Sequence, residues 1–308
     1  MIRRAVASCL GKLSNKMKND IFIQELLPFL KNLVNDDQDS VRMLCIDSIV
    51  EISKSFTKEL NKANIIPILI HMIRDRAWRV RIKMSNSFSK LAEAMSQDIT
   101  DGSLVNIFSS LLSDPEGEVR TAAIQNFPKL LNIVSPSKFS QLIAIVLELS
   151  KDTLSLVRVS AFEVLSLMAL KLPKDEVKAK LVDPILSCTK TETDNEVKIE
   201  IIKALTSCGI TLSSDFHAKL TNSDITTLLK ERSWRVRKEV FTMLVEVSVQ
   251  VGSSQLFEVH FQEFFLSYLK DPVFQIRMHG NSLLSVRFVN LAYTDHRAAY
   301  VGDSYPGS

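Results

Sequence analysis

Apolar residues recur along this chain with two periods at once, one matching the turn of an α-helix and one close to 39 residues. With Val41, Val80, Val119, Val157, Val197, Val236 and Ile276 as origins, the steps are 39, 39, 38, 40, 39 and 40 residues. Eight positions on lie Ile49, Phe88, Phe127, Leu165, Leu205, Leu244 and Leu284; eleven on lie Ile52, Leu91, Leu130, Met168, Cys208 and Val247. Eleven positions before the origins lie Leu30, Leu69, Phe108, Val146, Leu186, Ile225 and Phe265. Stepping back from Val41 reaches Ile2, with Leu10 and Leu13 in the same columns. Offsets of 4, 8 and 11 share one helix face, so each period predicts two amphipathic helices around a short turn. Pro28, Pro67 and Pro184 take one equivalent place in the first helix of a pair, a kink or a start. No single pair can bury its own apolar stripe, whereas stacked pairs bury a continuous core. The expected architecture is therefore an all-α, right-handed solenoid of about seven helix pairs behind a leading half repeat.

The turns share an acidic residue, four variable positions and Val-Arg, varied to Val197-Lys198 and Ile276-Arg277 in two of them. They fall at 36–42, 75–81, 114–120, 152–158, 192–198, 231–237 and 271–277. Asp36, Asp75, Asp114, Asp152 and Asp271 are expected to cap second helices or accept turn amides. Arg42, Arg81, Arg120, Arg158, Arg237 and Arg277 are expected to pair with acidic groups along the stack. A feature recurring in almost every unit reads as a structural ladder. The period holds over 1–284. Eleven after Ile276 comes Arg287, and the remainder, 285–308, closes in Gly, Ser and Pro without a repeat. A loosely ordered tail is expected there, with apolar surface open at both ends of the array.

Composition narrows the chemistry. Lys and Arg number 38 against 35 Asp and Glu, so a net charge of +3 supplies no bulk attraction to nucleic acid or acidic membrane. Cys9, Cys45, Cys188 and Cys208 form no CxxC pair and read as reduced, buried thiols in a cytoplasmic chain, with the nucleus also open. His71, His217, His260, His279 and His296 show no metal-ligand spacing, and no phosphate-binding or nucleophile-elbow motif is present. No catalytic residue, metal site, cofactor, small-molecule substrate or membrane span is expected. The apolar runs are far too short to cross a bilayer.

The only two tryptophans both lie in W-R-V-R, at Trp78 and Trp234, four units apart. Their column otherwise holds Asp39, Gly117, Ser155, Asn195 and Phe274, so it is a turn column open to solvent. Each ring either folds over its own repeat as a lid or anchors a partner. Trp beside Arg is a common energetic centre of protein–protein contacts, and Arg79 and Arg235 offer planar donors for a carboxylate.

A period near 40 with paired helices falls in the HEAT and armadillo range. "DDQDSVRMLCIDSIVEIS", "RAWRVRIKMSNSFSKLAEAMSQDIT" and "SWRVRKEV" with "DPVFQIR" resemble the HEAT-repeat scaffold subunits of protein phosphatase 2A. The opening "IRRAVASCLGKL" is similar to the second helix of that scaffold's fifth repeat. The resemblance covers about 1–284, strongest in the first three units and around 231–277. It implies a non-catalytic platform whose turns hold a B-type regulatory subunit and the phosphatase catalytic subunit. Asp39, Ser40, Trp78 and Arg79 would belong to the regulatory side; Trp234, Arg235 and Phe274 to the catalytic-subunit side. The chain departs from the family by lacking the first repeats and by losing the pattern at Arg287. Two other readings remain open: another HEAT adaptor, for transport or assembly, and a HEAT-like nucleic-acid reader gripping a backbone with Trp and Arg.

Overall fold

The computed structural model describes residues 1–213, 216, 227–251, 268–280 and 282. Every regular element among them is helical. Ile225, Phe265, Leu284, Arg287, His217, His260, His296 and the segment 285–308 lie outside the described residues. The chain divides into two compact units, Met1–Val164 and Leu165–Ser308.

In the first unit the second helices of successive pairs are α1 (Ile2–Ser14), α2 (Asp39–Ser55), α3 (Trp78–Ala94) and α4 (Gly117–Leu130), each packed on the next. Their apolar columns are the core. Val41, Val80, Val119, Ile49, Phe88, Phe127, Ile52 and Leu91 have no exposed surface. The first helices close the other side through Leu30, Leu69, Phe108 and Val146, all fully buried. Phe88, Phe108 and Phe127 interlock, with ring centroids 4.9 and 5.2 Å apart, which welds two pairs together. Small residues let the second helices close up. Ser48 Oγ donates to Ala7 O at 2.6 Å and accepts from Gly11 N–H at 3.2 Å, and both bonds are buried.

One column member and one cysteine depart from the expected burial. Leu13 is 40% exposed and Cys9 is also exposed. Both lie on α1, which among the described residues packs against a neighbouring pair only on the α2 side.

The recurring proline marks a start, and at Pro28 and Pro67 a π turn precedes it. In the first pair a short turn, Asn19–Ile21, runs into a π segment, Phe22–Leu26. The regular helix α5 (Leu27–Leu33) then begins with Pro28 in its first turn. Lys58–Leu60, Asn61–Ile65 and α6 (Ile66–Met72) repeat this around Pro67. Proline lacks the N–H that would bond four residues back, which a widened ladder tolerates but does not require, since Pro184 lies in the first turn of Val182–Thr191 with no π segment before it. The third pair makes the same π turn, Thr100–Leu104, before α7 (Val105–Leu112), although Asn106 replaces the proline. In the fourth, a 3₁₀ turn at Pro136–Lys138 leads into α8 (Phe139–Leu149) with no π segment.

Helix α9 (Ser155–Lys171) carries the boundary between the units. The second unit continues with α10 (Lys174–Lys180), α11 (Val182–Thr191), α12 (Asn195–Leu212) and α13 (Trp234–Val251). Leu165, Met168, Leu205, Cys208, Val197 and Val236 are fully buried, and Leu244 and Val247 are nearly so. Ser166 and Ser207 hydroxyls meet at 2.7 Å, and Thr211 Oγ1 donates to Ala169 O at 2.9 Å, where α9 meets α12.

Candidate interaction ridge

Six of the turns are built by their acidic residue. Asp36 Oδ1 accepts the Gln38 N–H at 2.9 Å, Asp75 that of Ala77 at 2.8 Å, and Asp114 that of Glu116 at 2.9 Å. Asp152, Glu192 and Asp271 bind Leu154, Asp194 and Val273 N–H in the same way, at 2.8–2.9 Å. The carboxylate thus closes a three-residue turn from its first position; it is not the helix cap itself, which is Gln38, Ala77 or Glu116.

At most turns the acid also meets the basic residue one unit earlier. Arg42 meets Asp75 at 2.6 and 2.8 Å, Arg81 meets Asp114 at 2.7 and 2.9 Å, and Arg120 meets Asp152 at 2.6 and 3.0 Å. Arg3 reaches Asp36 at 3.3 Å. In the second unit Arg237 grips Asp271 at 2.8 and 3.0 Å, and Lys198 takes Glu231 at 2.7 Å. Arg42, Arg81, Arg120 and Arg237 also donate Nη1 to the carbonyl of their own turn's acid, as Arg158 and Arg277 do at Asp152 and Asp271. Hydrogen bonding to the partner carboxylate raises the already high Arg42, Arg81 and Arg120 pKa values, against the opposing effect of burial. These guanidiniums are consumed inside the fold.

The tryptophan column is the first residue of the second helix, not part of the turn proper. Asp39, Trp78, Gly117, Ser155, Asn195 and Trp234 each open a helix. Trp78 is 38% exposed, Trp234 39% and Phe274 61%, while Asp39 and Ser40 are half-buried. The neighbouring arginines differ. The Arg79 guanidinium lies over the Trp78 ring at 5.0 Å from its centroid and has no carboxylate partner among the described residues. Arg235 is held by Glu196, Nη2 to Oε2 at 3.1 Å with Nη1 on the other oxygen. Arg277 lies over Phe274 at 5.7 Å.

Two ridge residues escape a reading by period. Leu154 and Leu156 are 42% and 52% exposed beside Ser155. A signal was present: the second residue of each second helix is Ser40, Arg79, Glu118, Glu196, Arg235 or Gln275, and Leu156 alone is apolar there. Of the histidines, His71 is exposed beside the turns that hold Asp36 and Asp75, and His279 Nε2 sits 3.0 Å from Thr242 Oγ1. Burial and the nearby Lys238 charge lower the His279 pKa. Among the described residues no group of three or more His, Cys, Asp and Glu is placed to hold a metal, and no helix is long and apolar enough to cross a membrane.

Residues 1–103 match the family model described as PIK3R4-like, middle domain, and residues 97–175 match that of the PPP2R1A-like HEAT repeat. A search of curated proteins returns no match. Among solved structures, yeast importin-beta (Kap95p) aligns over 95% of this chain and 38% of its own, with a TM-score of 0.68 at 15% identity. Kap95 in its complex with Nup1 gives 0.67 at 14% identity over 96% of this chain and 39% of its own. A Kap121p mutant gives 0.56 at 15% identity over 85% and 27%. At such identities the likeness is one of fold, and it is that of an all-α HEAT-repeat solenoid. The chain spans less than two fifths of the length of these relatives.

Proposed function

We propose that the chain is a non-catalytic scaffold of a protein phosphatase 2A-type complex, with the first residues of its second helices as the contact ridge. The observation that carries this reading is the contrast within W-R-V-R. In both copies Val and the second Arg are spent on core and ladder, while Trp78 and Trp234 stay more than a third exposed. Large aromatics at that level of exposure are typical anchors once a partner covers them. The PPP2R1A-like match over 97–175 supports the phosphatase assignment, as does the four-unit spacing of the two motifs. On this reading Asp39, Ser40, Trp78 and Arg79 face a B-type regulatory subunit, and Trp234, Arg235 and Phe274 face the catalytic subunit.

Purified catalytic and B-type subunits, titrated separately into the chain by calorimetry, test this. Trp234→Ala with Arg235→Ala weakens catalytic-subunit binding by about 2–4 kcal/mol and leaves the regulatory subunit unaffected; Trp78→Ala with Arg79→Ala does the reverse. A wild-type chain that binds neither subunit rejects the phosphatase reading and leaves another HEAT adaptor as the function.

A further inference from the structure

The turns at 114–120 and 152–158 hold a second surface that the tryptophan motifs do not explain. Leu154 and Leu156 project from the start of α9, while Val157, between Leu156 and Arg158, supplies the fully buried apolar residue of that turn. The core therefore has no use for the two leucines. Leu154 is fixed at its backbone by the N–H bond to Asp152 Oδ1 at 2.9 Å. Its side chain reaches across to the neighbouring turn and lies against Gly117, where an added Cβ would come within 2.4 Å of Leu154 Cδ1. The glycine makes room for the leucine, so one apolar strip runs from the start of α4 to the start of α9.

The arginines of the two turns are engaged within the fold, Arg158 Nη1 on the Asp152 and Thr153 carbonyls, whereas the exposed charges flanking Gly117 are acidic. Arg120 is taken up by Asp152, and Lys151 lies 3.2 Å from Glu148. Glu116 and Glu118, both exposed on either side of Gly117, form no ion pair among the described residues. Two open leucines are thus bordered by two exposed carboxylates outside any ion pair among the described residues, with Arg81 and Arg120 acting on Glu116 only at longer range. An anionic lipid surface would be repelled by that border. A second copy meeting the same face about a two-fold axis would set Glu116 and Glu118 against their own equivalents.

We propose that this strip docks a short basic amphipathic segment of a partner protein, its apolar side chains on Leu154 and Leu156 and its Lys or Arg side chains at Glu116 and Glu118. The segment is recognised independently of the Trp78 and Trp234 anchors.

The test uses the full chain and three labelled peptides: an amphipathic Leu–Lys helix, its Leu–Glu counterpart, and a scrambled Leu–Lys sequence. Fluorescence anisotropy reads binding at low and moderate salt. The Leu–Lys peptide binds more weakly as salt rises, and the other two bind at least about tenfold less tightly. Leu154→Ser with Leu156→Ser reduces its affinity about tenfold or more. Glu116→Gln with Glu118→Gln reduces it several-fold and flattens the salt dependence, with circular dichroism unchanged for both variants. Equal binding of the Leu–Glu peptide, or indifference to both double substitutions, overturns the proposal. So does chain dimerisation or binding to phosphatidylserine vesicles that the leucine substitutions abolish.

Discussion

Arg81 and Asp114 face each other across successive turns in two parallel hydrogen bonds, with no more than a tenth of either side chain exposed. Asp114 also holds the Glu116 amide, so one carboxylate serves its own turn and the unit before it. Removing the arginine strands a buried charge. Arg81→Ala is therefore expected to cost about 3–5 kcal/mol of stability, read from urea midpoints. Arg235→Ala, which breaks the exposed Glu196 pair, is expected to cost less than about 1 kcal/mol. Equal costs would mean that burial does not set the strength of these pairs.

Acid should weaken the fold through the same carboxylates. Burial raises the Asp152 pKa, but hydrogen bonds from Arg120 and the Leu154 N–H outweigh it and hold the group below the ordinary aspartate value. Asp271 shows the same balance, with Arg237 and the Val273 N–H. A carboxyl depressed in the native state adds stability above its unfolded value of about 3.9, and that stability is lost as pH falls through the native value. Calorimetric midpoints are expected to drop below about pH 4, and Asp152→Asn should make the drop shallower.

Two glycines should respond oppositely to alanine. At Gly11 a Cβ would come 2.9 Å from the Ser48 Cα and 3.0 Å from its carbonyl oxygen, neither of which can rotate away. At Gly102 nothing lies within 4 Å. Helix propensity favours alanine by up to about 1 kcal/mol at both sites, and overpacking costs about 1–3 kcal/mol at the first. Thermal melts are expected to show Gly11→Ala destabilised and Gly102→Ala neutral or stabilised.

Thiol labelling should separate the four cysteines. Burial pushes the Cys45 and Cys208 thiols up to about 12, leaving almost no thiolate at neutral pH. Cys9 is exposed, and Cys188 is half-buried with its thiol 3.3 Å from the Pro184 carbonyl. A maleimide reagent is expected to modify Cys9 first and to reach Cys45 and Cys208 only on unfolding. Fast native labelling at Cys45 would contradict the burial.

Where a column repeats, the sequence is a good guide, because a position buried in every pair must be apolar in every pair. Val41, Phe88 and Leu205 are legible for that reason. Variable columns carry no such constraint. Glu196 and Arg235 stand a whole unit apart and differ from their equivalents, so their pairing shows only in three dimensions. Leu156 breaks a polar column, yet it adjoins a periodic valine, where an apolar residue passes for core, and Leu154 stands at a turn position that no column constrains. The tryptophans were misplaced by a residue or two because the aspartate closes its turn in three positions and gives the next to the helix. The π turn at Thr100–Leu104 had no sequence marker, because the proline that accompanies the first two is absent there.

The presence or absence of that π turn also accounts for the one short step of the array. From helix start to buried column, Asn19 to Leu30, Lys58 to Leu69 and Gln97 to Phe108 each span eleven steps; Pro136 to Val146, without a π segment, spans ten. The step from Val119 to Val157 is correspondingly 38 residues instead of 39. The widened turn works as an expansion joint. A single-residue insertion or deletion during evolution can be taken up there, in the first helix, while the second helix and the face it presents keep their register.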